Sequence, residues 1–257
     1  MTLRVFGHFG ELIQGRLGDD VALVTLPCNA VWVDARRLPG PFAVHGPAKA
    51  QLRRMLRGAS GRFILRATMP PGGGAGASTA ALVAASRLMG EDDPARIAAA
   101  CIRAEGASDP LMWPAPGRLL WASRRGTVLA HLPPLPELEV LGGFLGPPVR
   151  TRAADCGFPC IADLVARWPE ACSDAARLAE LATLSAARTL ALRGPAGDPT
   201  AALAARHGAL GWSVAHTGSA RALLFRPGTV PPLAARDLRS AAFRGIRQFR
   251  TGGSPCS

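Results

Sequence analysis

Short apolar runs, bounded by glycine, proline and aspartate, make up much of the first third of the chain. They are rich in Val, Leu and Phe, and turn residues such as Gly18 and Pro27 separate them. This pattern predicts antiparallel strands. The predicted strands of this region cover residues 2–9, 21–26, 30–36 and 62–68.

Longer segments with helical spacing of apolar residues lie between and after these strands. In one of them, Asp92 and Asp93 are cap candidates, and Pro94 suits the first position of a helix. The predicted helices cover residues 47–56, 78–89, 94–104, 160–168, 174–192 and 200–206.

The second half also contains strand-like runs, and residues 124–126 and 216–219 are predicted to be hairpin turns within it. The predicted strands here cover residues 119–123, 127–132, 139–144, 211–215 and 220–225. Strands and helices are mixed without a regular βα alternation, which favours an α+β fold over a doubly wound sheet. A proline-rich strip at residues 133–136 marks a predicted boundary between two parts, residues 1–132 and 133–257.

One segment combines several features of a phosphate-binding site: residues 70–78, which we call the glycine loop, have the sequence PPGGGAGAS. The loop lies between a predicted strand and a predicted helix. Its glycines allow backbone N–H groups to approach an anion, and the positive N-terminus of the helix faces the same point. Ser78 and Thr79 add hydroxyl groups for a phosphate oxygen or its Mg²⁺. The same glycines would also suit a tight strand-to-helix connection that binds nothing.

Two common phosphate-binding motifs do not fit the glycine loop. No Gly-Lys-Ser/Thr follows, so the loop is not a Walker A motif. The glycine spacing also differs from that of the dinucleotide fingerprint, and no opening βαβ unit surrounds it.

The sequence PPGGGAGASTAA at residues 70–81 resembles the central motif of the GHMP kinases, a family that phosphorylates small alcohols with ATP and Mg²⁺. Two further segments follow the family's order, GELIQG at residues 10–15 and HTGSA at residues 216–220. The spelling GELIQG, together with EGASDPLMW at residues 105–113, is similar to the L-threonine kinases of cobalamin synthesis. The chain differs from them at Gly73, where those kinases usually carry a lysine, and at Ala77, which replaces the first serine of a pair.

This resemblance implies a two-subdomain α+β fold, with a nucleotide-binding half at residues 1–132 that resembles a ribosomal-protein fold and an α/β-sandwich half at residues 133–257. It implies ATP as cofactor, Mg²⁺ held by Ser78 and Glu105, and Asp109 as the catalytic group that orients or deprotonates a hydroxyl. The implied substrate contacts are Glu11, Gln14, Gly218 and Ser219. The implied phosphate contacts are Pro71, Gly72, Gly73, Gly74, Ala75, Gly76, Ala77, Ser78 and Thr79.

Structural alternatives remain for the charged residues among these. Glu105 also fits an exposed helix end, Asp109-Pro110 also fits a helix cap, and Glu11 also fits a hairpin-stabilising role. We assign His8 and His216 to structural hydrogen bonding, because a lone histidine more often has that role. Three arginines are candidates to replace the missing lysine, and the sequence does not choose among them: Arg118, Arg124 and Arg221.

Charge and composition change this picture little. The net charge is +12, but it comes almost entirely from scattered arginines, since Lys49 is the only lysine. No basic block and no tyrosine are present, which argues against RNA binding as the main function. The first residues lack the apolar stretch of a signal peptide, and we expect a cytoplasmic protein without membrane segments, its cysteines as free thiols. A homodimer is compatible with the sequence, as is a nucleotide-binding protein that has lost turnover.

Overall fold

The structure is a computed structural model that describes residues 2–149 and 151–252. Within this part of the chain, ten strands and seven helices form a mixed fold, which confirms the α+β prediction. The strands are Leu3–Leu17 (β1), Asp20–Leu38 (β2), Ala43–His45 (β3), Arg62–Ala67 (β4), Leu119–Ala122 (β5), Thr127–His131 (β6), Leu138–Phe144 (β7), Gly211–Val214 (β8), Ala220–Phe225 (β9) and Arg244–Thr251 (β10). The helices are Lys49–Met55 (α1), Ala77–Leu88 (α2), Pro94–Glu105 (α3), Ala162–Ala171 (α4), Ala175–Arg193 (α5), Thr200–Arg206 (α6) and Ala234–Ser240 (α7).

One curled sheet joins the two halves of the chain. Its strand order is β10-β7-β9-β8-β1-β2-β4-β3, with the β5–β6 hairpin attached to β2. All pairings are antiparallel except that of β3 with β4. The halves meet where Glu11 of β1 lies opposite Val214 of β8. The boundary after residue 132 falls in the connection between β6 and β7 and stays a prediction.

The β1–β2 hairpin is much longer than the sequence pattern predicted. Residues 21–26 and 30–36 belong to one strand, although Pro27 was interpreted as a turn signal. Pro27 lies opposite His8 where the register shifts on both sides of the pair, and such an irregular position tolerates a residue without an N–H group. The same irregular stretch of β1 contains Gly10 and Glu11, so the first motif lies in a bulged strand rather than in a turn.

The helix signals were more reliable, because local chemistry determines them. Asp93 caps α3 by accepting the Ala95 N–H at 2.9 Å, and Pro94 occupies the first position. Three elements had not been predicted: β3, α7 and β10. The outermost strand β10 was missed because its three arginines, Arg244, Arg247 and Arg250, interrupt the apolar pattern of a strand.

A continuous core lies between the sheet and the helices. The largest fully buried side chains include Phe9, Phe63, Trp121 and Trp168. Buried Cys28 and Cys101 lie in this core, as predicted, and carry free thiols. Within the described residues, none of the helices combines the length and the apolar composition that crossing a membrane requires.

One buried ion pair fixes the segment before α6. Arg221 Nε donates to Asp198 Oδ2 at 2.9 Å, and the two side chains are 6% and 4% exposed. Asp198 also accepts the Thr200 N–H at 3.0 Å. Arg221 is therefore engaged in the protein interior, and it is a poor candidate for a phosphate contact.

We expect Asp198→Ala to lower the free energy of unfolding by about 3–5 kcal/mol, because it leaves the Arg221 guanidinium buried without its partner. Asp163→Ala is the matched control. Its partner Arg188 is exposed, and the loss should be about 1 kcal/mol or less. Urea unfolding of both variants measures the difference, and equal losses would contradict this account of the Asp198 pair.

Candidate active site

The backbone of the glycine loop alternates between left-handed and ordinary conformations. Gly72, Gly74 and Gly76 have φ of 75°, 76° and 74°, whereas the intervening residues have negative φ. Successive N–H groups in such an alternation converge on one side and form a concave anion site. Ala77 then begins α2, whose first turn has no side-chain cap.

Hydrogen bonds hold the carbonyl groups of the glycine loop from the opposite side. The N–H groups of His8 and Gly10 donate to Ala75 O and Gly74 O, both at 3.3 Å. Gly73 O accepts from Ser219 and Ala220 at 3.0 and 2.8 Å. In the described structure the N–H groups of residues 74–79 have no acceptor, so they are available to an anion.

The position of the missing lysine is closed to side chains. Gly73 is buried, and a Cβ built on it would lie 2.9 Å from a ring carbon of Phe144 and 2.9 Å from Pro70 Cγ. The glycine at this position is therefore required by packing against β7. A lysine would not fit without moving the loop.

The third motif contacts the loop directly. Gly218 has φ of 110°, and a Cβ on it would lie 2.5 Å from Gly74 N. The backbone N–H of His216 donates to the Glu11 carboxylate. The three motifs thus converge, although 205 residues separate Glu11 from His216.

Two carboxylates lie beside the start of α2. Ser78 Oγ donates to Glu105, the last residue of α3. Thr79 Oγ1 lies 3.4 Å from Glu105 Oε1 and donates to Asp109 Oδ2 at 3.2 Å. No helix begins at Pro110, so the helix-cap interpretation of Asp109 is wrong.

Burial raises the pKa of Glu105 to about 7, with Asp109 adding to the rise and the Ser78 and Thr79 hydroxyl groups opposing it. Asp109 behaves differently. Burial pushes its pKa upward, but the charge and the hydrogen bond of His8 outweigh burial and hold the pKa below its usual value. Asp109 is therefore an anion at neutral pH, and its side chain is still 22% exposed.

His8 links the first motif to Asp109, a role that the sequence interpretation missed. Its Nε2 lies 3.3 Å from Asp109 Oδ2, and its Nδ1 lies 3.7 Å from Glu11 Oε1 and 3.1 Å from Gly10 O. Burial alone would lower the pKa of His8, but the two carboxylates raise it to about 9. Burial raises the pKa of Glu11 to about 8, so Glu11 favours its protonated form and the ion pair of the cluster is that of His8 with Asp109.

Residues 151–161, which we call the covering segment, pack against the third motif and against Gly106. Thr151 Oγ1 lies 2.5 Å from Thr217 Oγ1. A Cβ on Gly106 would lie 2.6 Å from Ala153 Cβ. Phe158 stacks on the His216 ring with centroids 3.9 Å apart, and the Arg193 guanidinium lies 4.2 Å from the other face of the Phe158 ring. No sequence motif pointed to this segment.

The remaining predicted residues have other partners. Gln14 is fully buried and bonds Val214 O through its side chain at 2.8 Å and Ser185 Oγ through its backbone N–H at 2.9 Å. Ser219 is buried and supports the loop through its backbone. Arg118 is exposed and bonds Leu132 O. Substrate contact by Gln14, Gly218 or Ser219 stays a prediction.

Two sets of residues fit a cation. Ser78 and Glu105 offer the hard oxygen ligands that Mg²⁺ prefers, next to the free N–H groups of the loop. His8, Glu11 and Asp109 also place one ligand atom each within 4.8 Å of one another. In that trio, however, the two His8 nitrogens contact different carboxylates, which indicates an ion-pair cluster.

Comparison with known proteins gives the fold. No family model matches the sequence, and no curated protein matches it significantly. Solved structures match over almost the whole chain. The L. major mevalonate kinase in complex with R-mevalonate is 14% identical, with 100% of this chain and 97% of that chain covered and a TM-score of 0.71.

Two further solved structures also match over nearly the whole chain at low sequence identity. Homoserine kinase from Cytophaga hutchinsonii is 17% identical over 98% of this chain and 94% of that chain, with a TM-score of 0.57. A 4-(cytidine 5'-diphospho)-2C-methyl-D-erythritol kinase is 17% identical over 99% and 100%, with a TM-score of 0.60. The protein therefore has the fold of the GHMP kinases.

We expect the His8 imidazole to titrate near pH 9 in a ¹⁵N NMR titration. Asp109→Asn should lower this pKa by about 1–3 units, because an opposite charge within a few ångströms has an effect of that size. Asp34→Asn, which removes the partner of Arg4 instead, should leave the His8 titration unchanged. A value near 6.5 in the wild type would contradict the ion-pair cluster.

The same shift predicts the pH dependence of stability. Because the folded pKa of His8 lies above its ordinary value of 6.5, the folded state holds the proton more tightly than the unfolded state. The contribution of His8 to stability is complete below about pH 6.5 and is lost as the pH rises through about 9. Urea unfolding at several pH values checks this sign.

Proposed function

We propose that the protein is an ATP-dependent kinase that phosphorylates a hydroxyl group of a small molecule. The observation that supports this most directly is the row of free N–H groups at residues 74–79, followed immediately by hydroxyl and carboxylate groups. The GHMP kinase fold and the kinase activities in the names of the matched structures agree with this proposal.

The phosphates of ATP fit the concave backbone of the glycine loop and the uncapped start of α2. Ser78 and Glu105 would hold Mg²⁺ beside them. ATP with Mg²⁺ supplies an electrophilic phosphorus atom whose negative charge is partly neutralised. The raised pKa of Glu105 indicates a carboxylate that gains stability when a cation lies next to it.

Asp109 is suited to orient the acceptor hydroxyl. Thr79 and His8 both engage its Oδ2, whereas Oδ1 has no partner in the described structure. Oδ1 would accept the hydroxyl hydrogen bond and take the proton as the substrate oxygen bonds to phosphorus and ADP leaves. His8 keeps Asp109 ionised and fixes its direction, so the orienting role outweighs the role of a strong base.

L-threonine is the substrate that we propose, with O-phospho-L-threonine as the product and cobalamin synthesis as its use. The support is the resemblance of residues 10–15 and 105–113 to the L-threonine kinases, and these two segments supply Glu11, Glu105 and Asp109 to the site. The Gly73 difference does not oppose this proposal, because packing closes that position in this chain.

The direct test is phosphate transfer by the purified protein. We expect the protein to phosphorylate L-threonine with ATP and Mg²⁺. The panel of acceptors also includes L-serine, L-homoserine, mevalonate and 1-aminopropan-2-ol. Release of ADP together with mass spectrometry of the product identifies the acceptor. Transfer to another alcohol would overturn threonine but keep the kinase. ATP binding without any transfer would favour a nucleotide-binding protein that has lost turnover.

Two substitutions separate the roles in the active wild type. Asp109→Ala should lower kcat about 10²- to 10⁴-fold and leave ATP binding nearly unchanged, because its carboxylate acts on the attacking oxygen. Ser78→Ala should weaken ATP·Mg²⁺ binding as well as turnover, since its contact exists before the reaction. Steady-state kinetics and ATP titration of both variants measure this split, and a normal kcat for Asp109→Ala would rule out the orienting role.

A further inference from the structure

Arg124 presents a partly buried guanidinium, two of whose nitrogen atoms have no partner in the described structure. Its Nε and Nη2 atoms are shielded from solvent, and neither has a hydrogen-bond acceptor in the described structure. Arg124 begins the turn after β5, directly after Ser123, whose carbonyl accepts the Ser108 N–H at 2.9 Å. The backbone next to Arg124 is therefore joined to the backbone next to Asp109.

The acidic groups around Arg124 bond other residues, although Asp109 Oδ1 has no partner in the described structure. Asp155 accepts from Arg193 Nη2 at 2.5 Å and from the Gly157 N–H at 3.1 Å. Asp109 uses its Oδ2 for Thr79 and His8. Both carboxylates contribute a favourable charge to Arg124, while burial lowers its pKa. The charges of Asp155 and Asp109 thus partly offset the cost of burying the Arg124 guanidinium, but its Nε and Nη2 atoms lack acceptors.

A second unpartnered group faces the same region. Neither ring nitrogen of His216 has a hydrogen-bond partner in the described structure, and the residue is 6% exposed. Burial and the charges of Arg124 and Arg193 lower the pKa of His216 to about 3, so the ring is neutral and donates one N–H. Phe158 covers one face of the ring, which leaves its edge for a ligand.

Unmade hydrogen bonds of buried donors are costly, and a native structure retains such groups mostly where a ligand satisfies them. A guanidinium with two free N–H groups matches the two oxygens of a carboxylate. We propose that Arg124 and His216 bind a carboxylate of the phosphate acceptor, so that the substrate is a hydroxy acid whose hydroxyl lies at Asp109. The identification of this ligand as the phosphate acceptor rests on the proposed kinase function.

A contact with the ATP phosphates is the rival role for Arg124. The backbone beside Arg124 is bonded to the Asp109 segment, since the Ser108 N–H donates to Ser123 O at 2.9 Å. Asp109 and, in the covering segment, Asp155 are among the charged groups that influence Arg124. The placement of Arg124 therefore favours the acceptor over the nucleotide.

Calorimetric titration tests the carboxylate site directly. The ligands are L-threonine, 3-hydroxybutyrate, which lacks the ammonium, and 1-aminopropan-2-ol, which lacks the carboxylate. Arg124→Gln should weaken binding of both acids about 10- to 100-fold, the range for a lost charged hydrogen-bonded pair. It should leave binding of the amino alcohol unchanged. Arg125→Gln is the matched control, because Arg125 is the neighbouring residue but pairs with Asp20 at the surface.

Stability gives an independent readout. If Arg124 served only to stabilise the fold, its substitution would lower the melting temperature of the protein. If its guanidinium has no partner in the fold, its substitution would not lower the melting temperature. We expect Arg124→Gln and Arg124→Lys to melt at or above the wild-type temperature. Arg124→Lys keeps the charge but loses the fork, so its loss of acid binding should be smaller than that of Arg124→Gln. A marked fall in the melting temperature of both variants would assign Arg124 to the fold and overturn the proposal.

The remaining outcomes separate the two proposals. Arg124-dependent binding of the acids without phosphate transfer would keep the carboxylate site and reject the kinase. Transfer from ATP to an acceptor, with acid binding equal in Arg124→Gln and wild type, would keep the kinase and reject the carboxylate site. Weaker ATP binding in Arg124→Gln with unchanged acid binding, or a wild type that binds neither acid, would likewise overturn the site.

Discussion

The geometry of the site depends on the hydrogen bonds that the rest of the protein makes to the carbonyl groups of the glycine loop. Hydrogen bonds from β1 and from the turn after β8 hold the loop carbonyls, and in the described structure the N–H groups of residues 74–79 are left without acceptors. A loop without these bonds would keep the same glycines but would have no fixed direction. The sheet that joins β1 to β8 is thus a requirement of the site, because it brings together two segments about 200 residues apart.

The carbonyl contacts also place charge in a confined space. The bulged part of β1 that bonds the loop carries His8 and Glu11 into the protein, where both are almost fully buried. A buried carboxylate is stable only with a partner or a proton. The cluster uses both solutions, since His8 is charged against Asp109 while Glu11 favours its protonated form. The ionised state of Asp109 therefore depends on His8 of β1, and phosphoryl-acceptor chemistry at Asp109 would be coupled to the integrity of that strand.

The sequence predicted features that local chemistry determines. The cap of α3, the loop before α2 and the hairpin around residues 124–126 follow from proline, aspartate and glycine at defined positions. The length of β2 could not be predicted in this way. Proline usually indicates a turn, but Pro27 lies opposite a bulge in β1, where a strand tolerates it. The three motifs indicated segments that do lie together in the fold. His8, Arg124 and Phe158 belong to no motif, and their roles arise only when distant segments pack together.

The position of positive charge in the site follows from the packing of Gly73. A loop that packs against Phe144 leaves no room for a lysine, so no side chain of the loop supplies a cation to the phosphates. Backbone N–H groups and the helix dipole remain there, and they act over short distances only. The positive charges near the site come from other segments: His8 pairs with Asp109 and lies against Gly76 of the loop, and Arg124 follows β5. The carboxylate site that we propose would therefore bind the acceptor through Arg124, a cation that the loop does not provide. Selection of the acceptor by charge would then be a property of the hairpin after β5 and the covering segment, and it would not depend on a side chain of the glycine loop.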